Sequence, residues 1–235
     1  LTETLRATLP VDVVYVYGTV NGEETTWTRT QGDDWESIVD RVPDDTYVVH
    51  LEATNSAGTQ ADFDFTLYYG ILHLITDRTL QDVNRVKTLS RKGTAVMTTE
   101  ELEAWNAGTL KGAYNYTDLN RVNGAVNYIA GRFEEIGCMV MDDGGVLFSN
   151  RKVVWEPTEV PTTDDMTDYL HWVKAIRDLL SGNVDTDIYW LPEDMDRIDY
   201  EDANAIERAL RFVDGMIDRI KAGWYFSGEL YGGEV

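Results

Sequence analysis

The chain has 235 residues, and 42 acidic against 20 basic residues give it a formal net charge of -22. That surface repels phosphate backbones, and the nearest basic run, LSRKG at 89–93, is too short to offset it, so nucleic acid is excluded as an expected partner. A hydrophobic fraction of 43% marks a folding chain with a sizeable core, no apolar run is long enough to span a bilayer, and the single Cys138 excludes an internal disulfide.

The first seventy residues carry a period of two. In TYVVHLEAT, Tyr47, Val49, Leu51 and Ala53 share one face, while His50 and Glu52 point the other way. In ADFDFTLYY, Ala61, Phe63, Phe65, Leu67 and Tyr69 alternate with Asp62, Asp64, Thr66 and Tyr68. NSAG at 55–58 predicts a hairpin between these two strands. Further strands are expected at 11–17, 24–29 and 35–41, separated by NGE and QGDD turns. Five short strands so spaced predict a small antiparallel sandwich. The stretch PDDTYVVHLEATNSAGT resembles the late strands of immunoglobulin-like and fibronectin-type modules. In those folds a Tyr at the start of the penultimate strand ties its hydroxyl to an upstream loop, a position matched by Tyr47. The resemblance implies seven strands where five are visible, so the module is expected to be incomplete at its N-terminus. The opening LTETLRATLP shows no secretory pattern, and without an initiator Met the chain is expected to continue upstream.

After Gly70 the pattern changes, which sets the expected boundary between a β domain, 1–70, and an α-rich domain, 71–235. Helices are predicted at about 79–91, 98–107, 115–135, 163–181 and 199–222, with a short hairpin across CMVMDDGGVLFS. The fold class expected is therefore α+β and multidomain: an immunoglobulin-like β-sandwich followed by a helical domain with one hairpin.

Two of these helices share their wording. Tyr116–Phe133 and Tyr200–Ile217 align without gaps, with Tyr116/Tyr200, Asp118/Asp202, Asn120/Asn204, Ala125/Ala209 and Gly131/Gly215 identical. Leu119, Val122, Val126, Ile129 and Phe133 match Ala203, Ile206, Leu210, Val213 and Ile217, one stripe on an amphipathic helix. A shorter echo, TLQDVNRV, lies at 79–86. Thr79, Asn115 and Asp199 are good N-cap residues, each with an acid three positions on (Asp82, Asp118, Asp202), so shared capping accounts for the aspartates. Asn84, Asn120 and Asn204 are not needed for capping and are expected to bond a neighbouring loop or helix end. Internal duplication and convergence on a common helix start both fit.

Catalytic constellations are scarce. His50, His73 and His171 have no metal-ligand spacing, and no phosphate-loop, dinucleotide or nucleophile-elbow motif occurs. Cys138 has no basic partner, so a buried thiol is expected rather than a nucleophile. The acidic stretch NVDTDIYWLPEDMDRIDYEDAN, 183–204, lacks the register of a calcium loop. No catalytic, cofactor-binding or metal-binding residue is assigned, no cofactor is expected, and the chain is read as not an enzyme. The tail AGWYFSGELYGGEV differs in kind: Trp224, Tyr225, Phe226 and Tyr231 follow Gly223, which is expected to end the last helix. So many aromatics in a tail dock rather than fray, on the chain's own domain or on a partner subunit, so these four are the candidate interaction residues.

HLITDRTLQDVNRVKTL, KGAYNYTDLNRVNGAVNYIAGRF and the terminal WYFSGELYGGEV resemble a recurrent segment of prophage-encoded tail-region proteins of Gram-positive bacteria. The resemblance covers about two thirds of the chain and carries no catalytic residues to transfer. It implies a virion structural protein of the tail tip, baseplate or fibre, assembled in the host cytoplasm. Its expected partners are other tail proteins, further copies of itself and a host-surface receptor. A bacterial surface adhesion module with an immunoglobulin-like domain is the alternative, to be discriminated by an upstream signal or anchor. A tail-associated polysaccharide hydrolase is the third, and would require carboxylates essential for wall hydrolysis.

Overall fold

The computed structural model describes residues 2–30, 32–141, 145, 148, 155, 157, 159–180 and 190–231, with the backbone alone for Thr8 and 224–231. Among them are two antiparallel sheets and five α-helices, an α+β fold. The chain divides into two compact units. The first takes Leu1–His73, Tyr114–Asn127 and Ser149–Val160; the second takes Leu74–Ala113, Tyr128–Phe148 and Pro161–Val235. The composition change near residue 70 thus lies beside the first of these breaks. Two further parts of the first unit come from well beyond it.

Seven strands build the first unit: β1 (Thr2–Thr8), β2 (Val13–Val20), β3 (Glu23–Thr26), β4 (Thr28–Arg29), β5 (Asp34–Asp40), β6 (Thr46–Asn55) and β7 (Gln60–Tyr68). One sheet has the order β1-β5-β4 and the other β3-β2-β6-β7. The expectation of five strands is corrected in two places. β1 pairs with β5 along its whole length and buries Leu5 and Ala7, a two-residue signal too short to stand out among threonines. The single strand expected at 24–29 is two. β3 pairs with β2, β4 pairs with β5, and the chain changes sheets at the buried Trp27, whose indole donates to Thr25.

The turn chemistry is local. Asn21 and Gly22 take φ of 52° and 83°, the two positive values of a type I′ hairpin whose twist suits the flanking strands. Asn21 also fastens the turn to β6, accepting from the Val48 N–H at 2.8 Å. At the β6–β7 hairpin the Asn55 carboxamide accepts from the N–H groups of Ala57 and Thr59. The alternation expected in β6 is realised: Tyr47, Val49 and Leu51 are wholly buried, which contributes roughly 2 kcal/mol apiece. The Tyr47 hydroxyl accepts from the Val42 N–H at 3.3 Å, a tie back across the preceding corner. Burial raises its phenol above the usual value.

The helices are α1 (Leu80–Lys92), α2 (Thr99–Asn106), α3 (Tyr116–Glu135), α4 (Thr163–Asp178) and α5 (Tyr200–Tyr231). All five begin alike. Thr79, Thr98 and Thr162 form capping boxes with Asp82, Glu101 and Asp165. At α3 and α5 the N–H groups of Asn115 and Asp199 donate to Asp118 and Asp202. Each such cap contributes about 1 kcal/mol, and capping is a sufficient cause for the repeated aspartates.

The part of α3 within the first unit lies on β7 at van der Waals distance. A Cβ on Gly124 would stand 1.6 Å from the Tyr68 carbonyl oxygen, so only glycine permits this approach. The Tyr69 hydroxyl donates to the Asn127 carbonyl at 3.4 Å nearby. In the second unit Leu89, Ile129, Phe133, Val173, Ile176, Ile206, Leu210 and Ile217 form the core, and the stripes expected on α3 and α5 are buried. Three local expectations are corrected. α4 stops at Asp178 rather than 181, and α5 runs through Gly223 to Tyr231, because a helical glycine with open space around it breaks nothing by itself. Cys138 is exposed, just past the Ile136–Gly137 turn that ends α3, so its thiol is not a core group. Of the expected 138–149 hairpin, Asp143 and Gly144 lie outside the described residues; Gly145 takes φ of 75°, and the Phe148 N–H donates to the Val140 carbonyl.

Candidate functional site

Buried polar side chains are the first place to look for chemistry, because each costs free energy unless it is paired. Here most of them, and the half-buried Asn120, hold backbone or pair with one another. In the first unit Asn120 accepts from the Trp155 N–H at 2.6 Å and donates to the Trp155 carbonyl at 3.0 Å. In the second unit Asn204 accepts from the Arg78 N–H and donates to the Arg78 carbonyl, both at 2.9 Å. Two asparagines at the same position of the aligned helices thus make the same two-point grip on one residue's backbone. This meets the expectation of a loop contact, while Asn84 at the third echo is exposed.

Glu207, fully buried on α5, extends the second clasp. It takes the Arg78 guanidinium at 2.7 Å and the Ile75 N–H, while Arg78 also donates to the Ile75 carbonyl. Further along, Arg132 bonds Asp214 and Asp218 beneath the Tyr128 ring. Burial would lower the Arg132 pKa, but the two carboxylates outweigh it and hold the cation above its usual value.

The histidines are dispersed. His50 stands on the outer face of β6, 2.7 Å from Asp64 and 3.9 Å from Glu52; the Asp64 hydrogen bond raises its pKa. His73 bonds the Asp44 carbonyl and the Thr46 hydroxyl. His171 lies on α4 in an open cleft of about 200 Å³, lined also by Met166, Lys174, Glu193, Asp194 and Asp196. Lys174 crosses this cleft to the Glu193 carbonyl. Among the described residues no group of three or more His, Cys, Asp or Glu could hold a metal ion, and no helix is long and apolar enough to cross a membrane. Part of the acidic stretch, 183–189, lies outside the described residues.

Two surfaces remain. The outer face of the four-stranded sheet carries Tyr15 and Tyr17 from β2, Glu24 from β3, Val48, His50 and Glu52 from β6, and Asp62 and Asp64 from β7. Tyr15 and Val48 are 60% and 58% exposed, and hydrogen bonding to Glu24 holds the Tyr17 phenol above its usual value. The other surface is α1 with α2. α1 buries only Leu89, and α2 and the turn Thr94–Val96 bury nothing, so Val96, Leu102 and Trp105 face solvent. A bidentate pair joins the two helices, Arg85 to Glu101 at 2.5 and 2.6 Å. With the Thr98 N–H it lowers the Glu101 carboxyl to about 2.

Of the four candidate interaction residues, Trp224, Tyr225, Phe226 and Tyr231 continue the α5 backbone helix, and their side chains lie outside the described residues. The tyrosines of β2 were missed in the sequence because VVYVYGTV is apolar on both faces; only Gly18 among the inward positions hints at its register. Comparison with family models, curated proteins and solved structures finds no match to this chain.

Proposed function

We propose that this chain is a non-enzymatic structural protein of a phage virion, in the tail tip, baseplate or fibre, that works by protein–protein contact. One observation carries the reading. On α3 and α5, Asn120, Asn204 and Glu207 grip backbone and Arg132 pairs with Asp214, while the outward-facing Tyr15, Tyr17, His50 and Glu52 spread over a sheet face. The resemblance of 73–89, 111–133 and 224–235 to prophage tail-region proteins agrees with this reading.

We read the first unit as an immunoglobulin-like module. Three features support this: seven strands in two antiparallel sheets, the Tyr47–Val42 tie at the start of the penultimate strand, and the strand order. β1-β5-β4 corresponds to strands B, E and D of such a module, and β3-β2-β6-β7 to C′, C, F and G, with no counterpart of strand A among the described residues. Such modules present sheet faces and edges for assembly or adhesion.

The test is immunogold electron microscopy on particles released from an induced lysogen, with antibody raised to the full chain. Label at one discrete place on the particle is the expected result. Clean particles with label on the bacterial surface would reject the virion role in favour of the adhesion module.

A further inference from the structure

The outer face of the four-stranded sheet is electrostatically frustrated. Glu52 stands directly opposite Asp62 across the β6–β7 pair, a like-charge placement that costs stability, and Glu24 and Asp64 add to it. His50 is the one basic side chain among these positions, and Asp64 already engages it. Exposed Tyr17 lies within this acidic band, with Tyr15 beyond one end of it and Val48 beyond the other. Aromatic rings beside uncompensated carboxylates fit a partner that brings cations and apolar side chains together. The face cannot mate with its own copy, because acid would meet acid.

The chain itself carries the complement. Residues 83–99 hold Arg85, Lys87, Arg91 and Lys92 and no acid, in a protein where acids outnumber bases 42 to 20. Glu101 takes up Arg85, whereas Lys87, Arg91 and Lys92 are exposed with no ion-pair partner among the described residues. After them, Val96 in the turn that follows α1 and Leu102 and Trp105 on α2 are 44%, 37% and 37% exposed, and α1 and α2 bury a single residue between them.

We propose that copies of this chain associate head to tail, with the α1–α2 surface of one copy docked on the outer β2-β6-β7 face of the next. The inference rests on the structural-protein reading above and names its self-contact. Lys87, Arg91 and Lys92 meet Glu52, Asp62 and Asp64, and Trp105, Leu102 and Val96 cover Tyr15, Tyr17 and Val48. Each copy offers one surface of each kind, so the contact joins unlike surfaces and one copy can engage two neighbours.

Sedimentation velocity of the full chain tests this, over a concentration series and at about 20 and about 500 mM salt. The wild type is expected to self-associate at low salt and to dissociate as salt rises. K87E/R91E/K92E and E52K/D62K/D64K should each associate at least about tenfold more weakly, with unchanged circular dichroism. An equimolar mixture of the two should recover association, since the native pair of surfaces is intact between them and the two reversed surfaces, Glu on α1 and Lys on the sheet, attract as well. The milder K87Q/R91Q/K92Q stands in if a reversal fails to fold. A wild type that stays monomeric at low salt overturns the proposal, as does a mixture that remains monomeric. Association that both variants retain also overturns this interface while leaving self-assembly intact. Gold labelling decides the virion role independently of all three results.

Discussion

Asn204 holds Arg78 by both of its backbone polar groups, N–H and carbonyl, each at 2.9 Å, so that a helix side chain completes a peptide pair that no strand supplies. The grip lies 126 residues away in sequence and at the entrance to α1, and it is 5% exposed. Replacing Asn204 with Ala leaves a donor and an acceptor buried without partners. The expected loss is about 3 kcal/mol, read from urea denaturation. Asn120→Ala should behave alike through Trp155, whereas exposed Asn84→Ala should stay within about 0.5 kcal/mol.

Arg78 and Glu207 form a buried ion pair with side chains 2% and 0% exposed. Arg78→Met alone strands a carboxylate in the core and should cost about 3–5 kcal/mol. Arg78→Met with Glu207→Gln removes both charges and keeps an acceptor for the Ile75 N–H, so a large part of that loss should return. A double-mutant cycle measured by denaturation checks it, and additive losses would show the pair to be uncoupled.

Two helical glycines should respond in opposite directions. Gly124→Ala drives a methyl into the Tyr68 carbonyl and must separate α3 from β7, at a cost of at least about 2 kcal/mol. Gly215→Ala, on α5 with nothing near its would-be Cβ, should raise stability by about 0.5–1 kcal/mol from helix propensity alone. Thermal melts of the two variants distinguish the cases.

His50 should titrate above its ordinary value of 6.5, first because of the Asp64 hydrogen bond and then through the neighbouring charges of Asp64, Asp62 and Glu52. Since the folded state binds this proton more tightly, the pair's contribution is complete below pH 6.5. It is lost as pH rises through the folded pKa. An NMR titration of the histidine ring protons measures the shift, and Asp64→Asn should bring it back toward 6.5.

Much of the fold is legible in the sequence where period and chemistry agree. β6 announces itself through Tyr47, Val49 and Leu51, and α3 and α5 through their stripes, because burial on one face leaves a repeat that no local choice disguises. β1 and β4 are hidden for the opposite reason: with two buried residues and none respectively, they are held by ladder hydrogen bonds that any side chain can make. The end of α5 misleads because Gly223 signals a stop only when the chain turns there. The candidate surfaces are the least legible part. Tyr17 and Glu52 lie 35 residues apart and become neighbours through the β2–β6 register, which single-strand patterns do not contain.

The first unit gathers its parts from three separate stretches, the last of them ending at Val160. During vectorial synthesis, β7 has left the ribosome some fifty residues before the α3 segment that covers Tyr68 can be delivered. The sheets must therefore wait half-dressed, with the Tyr68–Tyr69 end of β7 bare, until far more of the polypeptide has emerged. A piece cut after His73 would keep all seven strands and yet be frozen at that stage, and stickiness in such a fragment would report the missing helix rather than a fault in the strands.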